Sequence, residues 1–183
     1  MKRRLSLLLV LLALASSTAW AQRSRRSTRP ESPVQVMCSA TLRIAISSDT
    51  MGVFDFLSNS QKLAAWFPDQ AVIEPRFGGK YHFRWEGAAG VWSGVVTQFI
   101  RGNTLAYTWQ APDEPYETNV QLKLFPQGAE TLVELTHSGF TSAAAQEKSV
   151  KAWTFYLENL KSVIENETDL RSPSRRTSRP LQP

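Results

Sequence analysis

Six short stretches of the chain have the apolar pattern of half-buried β-strands, in which every second side chain faces the core. They are residues 40–47, 71–75, 80–86, 104–110, 117–125 and 129–137, and a longer apolar run occupies 90–100. Turn residues recur about every ten positions, which predicts an antiparallel meander. Gly94 lies inside the long run and predicts a β-bulge there.

Two short helices are predicted between the first two strands. Asp49 is the expected N-cap of the first, over residues 50–57. Asn59 and Ser60 begin a second helix, residues 61–67, which Pro68 ends.

A third helix is predicted over about residues 144–167. Its apolar side chains recur at alternating spacings of three and four, at Val150, Trp153, Leu157, Leu160 and Ile164. At 1.5 Å per residue it is about 36 Å long, enough to lie across a whole sheet. The element order predicts an α+β fold in which six to seven antiparallel strands wrap around this last helix.

The first 21 residues have the three parts of a signal peptide: a basic start, an apolar run and an Ala19-Trp20-Ala21 cleavage site. The apolar run is too short to span a bilayer, although an uncleaved anchor is the alternative. The pattern favours ordinary secretion over twin-arginine export and predicts a secreted or periplasmic protein. Cys38 is the only cysteine, so no internal disulfide forms.

The net charge of +5 comes from the ends of the chain. Residues 34–170 carry 10 basic and 15 acidic side chains, so the folded part is acidic and no specific nucleic-acid partner is predicted. The segments 22–35 and 169–183 are rich in Arg, Ser and Pro, and we expect a disordered linker and a disordered tail. These segments either dock on an anionic surface or act as solvated spacers.

Five strings in order identify a family resemblance: KLAAWFP (62–68), IEPRFGGKYHFRW (73–85), LAYTW (105–109), LVELTHSGF (132–140) and AWTFYLENLK (152–161). Together they resemble the SRPBCC superfamily, and more narrowly the bacterial homologues of the heat-shock protein 90 ATPase activator C-terminal domain. The resemblance covers the predicted domain, residues 36–168. It implies a helix-grip fold of the START or Bet v type, with a cavity between the sheet and the last helix.

Aromatic side chains provide the strongest candidate site. Strand parity and helical spacing bring several of them to one interior, as either a lined pocket for an apolar or aromatic ligand or an ordinary core. The segment from Trp66 through Phe67 to Pro68 ends the second helix and is either a lid at the cavity mouth or a staple that holds this helix to the sheet. The predicted ligand-binding residues are Trp66, Tyr81, Phe83, Trp85, Tyr107, Trp109, His137, Trp153 and Tyr156.

His137 follows two inward-facing residues and is either a polar group at the cavity wall or a strand-end histidine bonded to backbone near a turn at Gly139. No motif for covalent catalysis, phosphate binding or cofactor binding is found, and we predict no cofactor and no catalytic residue. His82, His137 and Cys38 are far apart in sequence, so no metal site is predicted.

Three functions therefore stay open. The first is an exported protein that binds a hydrophobic or aromatic small molecule. The second is an enzyme of the cyclase, dehydratase or hydrolase kind, which would use a pocket His or Tyr. The third is an interaction protein that docks through its basic tails. A cavity of roughly 300 Å³ or more would favour the first, and an inward carboxylate near His137 would favour the second. No pattern indicates an oligomeric state.

Overall fold

A computed structural model describes residues 38–171 of the chain. The predicted signal peptide, the basic linker 22–35 and residues 172–183 of the tail lie outside these residues. The elements in chain order are β1 Cys38–Ile46, α1 Thr50–Ser58, α2 Ser60–Trp66, β2 Gln70–Ile73, β3 Lys80–Arg84, β4 Trp92–Ile100, β5 Thr104–Trp109, β6 Thr118–Gln127, β7 Glu130–Phe140 and α3 Ala143–Asn166.

The seven strands form one antiparallel sheet in the order β1-β7-β6-β5-β4-β3-β2. Strands β2 to β7 follow one another as a meander, and β1 closes the far edge by pairing with β7. One face of the sheet packs against α3, through Leu157 and Leu160 among others. The predicted α+β helix-grip fold is confirmed.

The helices begin where the sequence places capping side chains. The Asp49 carboxylate accepts a hydrogen bond from the Gly52 backbone N–H at 2.7 Å, and the Asn59 side chain accepts from two backbone N–H groups of α2. Ser142 caps α3. Each cap satisfies N–H groups that the first helical turn leaves without partners.

The predicted bulge at Gly94 is wrong. The pairing of β3 with β4 is continuous through Gly94, and the extra residue of β4 is Thr97, between Val96 and Gln98. Gly94 has a different role: a Cβ atom there would lie 2.5 Å from the Thr108 hydroxyl oxygen and 2.8 Å from the Tyr81 ring. The strand needs glycine because that ring lies against its backbone.

The turn considered at Gly139 is also absent. Strand β7 continues to Phe140, and Gly139 is the extra residue of a bulge opposite β1, with a φ of 98°. Glycine adopts this left-handed conformation without steric cost. His137 therefore lies within a strand and not at its end.

Residues 169–171, which the sequence analysis assigned to the tail, fold back on α2. The Arg171 guanidinium donates to the carbonyl oxygens of Ala64 and Ala65, at 2.9 Å each, and of Pro68 at 2.7 Å. It also pairs with Asp169 at 2.7 Å. Burial raises the pKa of Asp169, but the hydrogen bonds and charge of Arg171 outweigh burial and leave that pKa lowered. Arg171 thus caps the C-terminal carbonyls of α2.

Candidate ligand cavity

A cavity of about 480 Å³ lies between the sheet and the N-terminal half of α3. The loops that follow β3 and β5 border it, through Ala88, Ala89 and Tyr116 among others. Its volume is within the range of small-molecule sites. The C-terminal half of α3 leaves no such space, because its side chains Leu157 and Leu160 are buried in the core.

A larger depression of about 760 Å³ lies between α1, α2 and the end of β4, with Phe54, Phe99 and Arg101 in its wall. None of the nine predicted ligand-binding residues lines it. We treat the smaller cavity as the candidate site because it contains the convergent aromatic and polar groups that ligand sites require.

Five of the predicted residues line the cavity, namely Trp85, Trp109, His137, Trp153 and Tyr156. Helix α3 contributes Trp153 and Tyr156, which lie three positions apart and so share a helix face. Strand β5 contributes Trp109 and strand β7 contributes His137, while Trp85 lies just beyond the end of β3.

The other four predicted residues, Trp66, Tyr81, Phe83 and Tyr107, lie in the core and not in the cavity wall. Trp66 donates its indole N–H to the Phe56 carbonyl of α1 at 2.9 Å, so it links α2 to α1 and does not cover the cavity. The Tyr81 hydroxyl donates to the Thr108 carbonyl at 2.6 Å. Burial, with the nearby charge of Glu117, raises the pKa of Tyr81 far above its ordinary value.

Phe67 joins the cavity to the core, although the sequence analysis did not include it among the ligand-binding residues. Its ring stacks on Trp153 at 4.9 Å between centroids and meets Trp85 and Tyr156 edge-on at 5.2 and 4.9 Å. Phe67 follows the last residue of α2, so no helical or strand period points to it. Trp92 was missed for a different reason: the long apolar run 90–100 fits two possible strand parities, so the sequence does not give the face on which its residues lie.

His137 is held by three polar side chains. The Trp153 indole N–H donates to Nδ1 at 3.0 Å, and indole nitrogen is a donor only, so Nδ1 carries no proton. The Ser149 hydroxyl, at 2.8 Å, therefore also donates to Nδ1. The proton lies on Nε2, 2.8 Å from the Thr118 hydroxyl, which in turn donates to the Trp109 carbonyl.

This environment keeps the imidazole neutral. Burial lowers the pKa of His137 from 6.5 to about 4, and a second proton on Nδ1 would face the indole N–H. The partners are side chains, so the expectation of a backbone-bonded strand-end histidine is wrong. Asp113 and Glu114 line the cavity, but within residues 38–171 no carboxylate hydrogen-bonds to His137.

Tyr156 and Trp85 form the second polar pair in the cavity. The Trp85 indole N–H donates to the Tyr156 hydroxyl oxygen at 2.7 Å. Burial raises the pKa of Tyr156, outweighing the hydrogen bond from Trp85 and the charge of Arg171. The phenol therefore stays protonated at neutral pH.

Over the described part of the chain, no three His, Cys, Asp or Glu side chains are grouped so that they could hold a metal ion. No helix between residues 38 and 171 has the length and apolar character that a membrane span requires.

The fold and the cavity define a helix-grip protein with an aromatic pocket under its last helix. Residues 49–165 match the family described as activator of Hsp90 ATPase homolog 1-like protein. The chain belongs to this family, as the sequence strings indicated.

Solved structures agree on the fold. A Mesorhizobium loti protein superimposes with a TM-score of 0.65 at 22% identity, covering 73% of this chain and all of the other. The Aha1 dimer of Colwellia psychrerythraea gives 0.62 at 22% identity, covering 70% and 97%. An Hsp90 activator of Plasmodium falciparum gives 0.59 at 15% identity, covering 69% and 95%. A search of curated proteins found no significant match.

Proposed function

We propose that the mature protein binds an apolar or aromatic small molecule in the cavity under α3, without converting it. The observation that carries this proposal is the cavity itself: about 480 Å³ of space, lined by aromatic rings with a few polar groups between them. A fold alone would not support it, because one fold hosts many functions.

An enzyme that uses His137 as a general base is less well supported. Its Nδ1 already accepts from Trp153 and Ser149, and burial lowers the pKa of the ring to about 4. Such a group is a weak base at neutral pH. No carboxylate of the described residues orients it, in contrast to the usual catalytic arrangement.

Filling the cavity tests the proposal without removing core contacts. Ala152 lies in the cavity wall on α3 and is exposed, so Ala152→Phe should occupy ligand space and leave the fold intact. Ala144→Phe is the matched control, because Ala144 is exposed on the same helix and does not line the cavity.

The assay is quenching of tryptophan fluorescence by ANS and by a series of fatty and polyaromatic compounds. We expect saturable binding to the wild type and to Ala144→Phe, and loss of binding to Ala152→Phe with an unchanged melting temperature. If no compound binds saturably, or if Ala152→Phe binds as the wild type does, the proposal is wrong.

We also propose that residues 1–21 direct export and are removed. The support is the three-part pattern that ends at Ala21. N-terminal sequencing of the exported protein should begin at Gln22, and recovery of intact Met1 from the cytosol would contradict export. Activation of a cytosolic chaperone is not proposed, because an exported protein would be separated from it.

Docking of the basic tails on anionic membranes is a further prediction from the sequence. Because Arg171 caps α2, a deletion that tests the tail should begin at residue 172. Binding to anionic vesicles should disappear in that deletion combined with removal of residues 22–33, and it should weaken with salt. Binding that persists in high salt would exclude this mechanism.

A further inference from the structure

Tyr156 offers the cavity a hydrogen-bond donor. Its oxygen accepts from the Trp85 indole, so the phenol proton is left to point elsewhere. Within residues 38–171, no acceptor lies within hydrogen-bond distance of that proton. A ligand oxygen in the cavity would provide the acceptor.

Ser149 offers the cavity a hydrogen-bond acceptor. Its proton is committed to Nδ1 of His137, since that nitrogen carries none of its own. The lone pairs of the Ser149 oxygen therefore accept, and among the described residues no donor reaches them. A hydroxyl or N–H group of a ligand would satisfy them.

The two groups are seven positions apart on α3. Seven residues are almost two complete turns, so Ser149 and Tyr156 lie on nearly the same helix face, about 10.5 Å apart along the axis. Trp153 and Ala152 lie between them and line the same cavity. The rings of Phe67 and Trp109 contact the Trp153 ring, at 4.9 and 5.9 Å between centroids, so these three rings form one continuous side of the cavity. Loop residues Ala88, Ala89 and Tyr116 also line it.

From this arrangement we infer the class of ligand: a flat aromatic molecule of two or three fused rings, with an oxygen acceptor at one end and a hydroxyl or N–H donor at the other. The acceptor meets the Tyr156 hydroxyl and the donor meets the Ser149 oxygen. The aromatic body lies along α3 between them. This inference rests on the proposed function and adds the polarity and length of the ligand.

Four naphthalene compounds test it: naphthalene itself, a naphthol, an acetylnaphthalene, and a hydroxyacetylnaphthalene with its two groups at opposite ends. One hydrogen bond in a preformed site is worth about a 3- to 10-fold change in Kd. We therefore expect the bifunctional compound to bind most tightly, each single-function compound less so, and naphthalene least. Calorimetry or tryptophan quenching at pH 7 measures each Kd.

Two variants assign the contacts. Tyr156→Phe should remove the advantage of the acetyl group and leave the naphthol and naphthalene affinities unchanged. Ser149→Ala should remove the advantage of the hydroxyl group. Thr154→Ala is the control, because its hydroxyl bonds to the Val150 carbonyl on the exposed side of α3.

The outcomes separate this inference from the proposed function. Equal affinity for all four compounds, or loss of the wrong advantage in a variant, would overturn the inference and leave the proposed function standing. Absence of saturable binding to any of them would count against both. If a variant fails to fold, the ranking of the four compounds by the wild type still decides.

Discussion

The buried, neutral state of His137 makes the stability of the domain depend on pH. We consider the variant His137→Gln, which keeps a polar side chain near Thr118 and Trp153 but removes the titrating ring. Its comparison with the wild type isolates the contribution of one histidine.

The unfolding free energy should fall as the pH falls, because the folded and unfolded states bind a proton at His137 with different pKa values. Burial lowers the pKa of His137 to about 4 in the folded protein, whereas the unfolded chain has the ordinary value of 6.5. As the pH falls below 6.5, the unfolded state takes up a proton that the folded state refuses, so stability is lost. The full contribution of neutral His137 to the unfolding free energy is present above about pH 6.5, and it is lost as the pH falls toward about 4.

The size of this loss of stability follows from the difference between the two pKa values. One pH unit is worth about 1.4 kcal/mol, so a pKa lowered from 6.5 to about 4 corresponds to roughly 3 kcal/mol of unfolding free energy. That is a large share of the 5–15 kcal/mol typical of a domain, so the domain should be clearly less stable at pH 4 than at pH 7.

Urea unfolding at a series of pH values between 7 and 4 measures this effect. The difference in unfolding free energy between wild type and His137→Gln should shrink by about 3 kcal/mol over that range. Carboxylates contribute equally to both proteins and cancel. Long-range ¹H–¹⁵N NMR adds a direct check, since the ring should be protonated at Nε2 alone at neutral pH.

A difference between the two proteins that does not change with pH would refute the reasoning. So would a His137 ring that titrates near 6.5, because the site would then be hydrated and not desolvated. Observation of a proton on Nδ1 at pH 7 would contradict the bonding pattern with Trp153.

Two substitutions outside the cavity test the packing of the fold by urea unfolding. Gly94→Ala places a Cβ atom against Thr108 and the Tyr81 ring and should cost about 1–3 kcal/mol, while Thr97→Ala on the exposed side of the same strand should cost little; equal effects would contradict the close approach. Arg171→Ala leaves the half-buried Asp169 without its cationic partner and the last carbonyls of α2 without a donor, so it should cost about 2–4 kcal/mol, and an unchanged unfolding midpoint would mean that these residues are not part of the domain.

Most of the fold follows from local periods. Strands β3, β6 and β7 bury alternate residues over most of their length, and Leu157 and Leu160 lie at helical spacing, so parity and period identify these elements. Bulges are different, because one extra residue depends on how two strands meet. Thr97 has no local signature, and Gly94, which has one, is required by the Tyr81 ring of a neighbouring strand.

The candidate site could be predicted only in part. Parity gives the face on which Tyr107 and Trp109 lie, and both do face inward. It does not give the distance between sheet and helix at each residue. That distance separates Trp109 in the cavity wall from Tyr107 in the filled core. Phe67 lies where a helix ends and has no periodic signal. Ser149 lies on the same face of α3 as Trp153 and Tyr156, but it is polar, so the apolar period does not include it.

The pairing of β1 with β7 has a consequence for the order in which the domain folds. Thr41 and Thr136 touch across these strands although 95 positions separate them in the chain. Closing so long a loop is slow and entropically costly compared with forming the hairpins of the meander. Helix α3 also contacts the end of β1: Lys161 donates a hydrogen bond to the Ala45 carbonyl, and Glu165 accepts one from the Ser47 backbone N–H. A chain emerging from the ribosome therefore holds β1 unpaired until almost all of the domain has been synthesised.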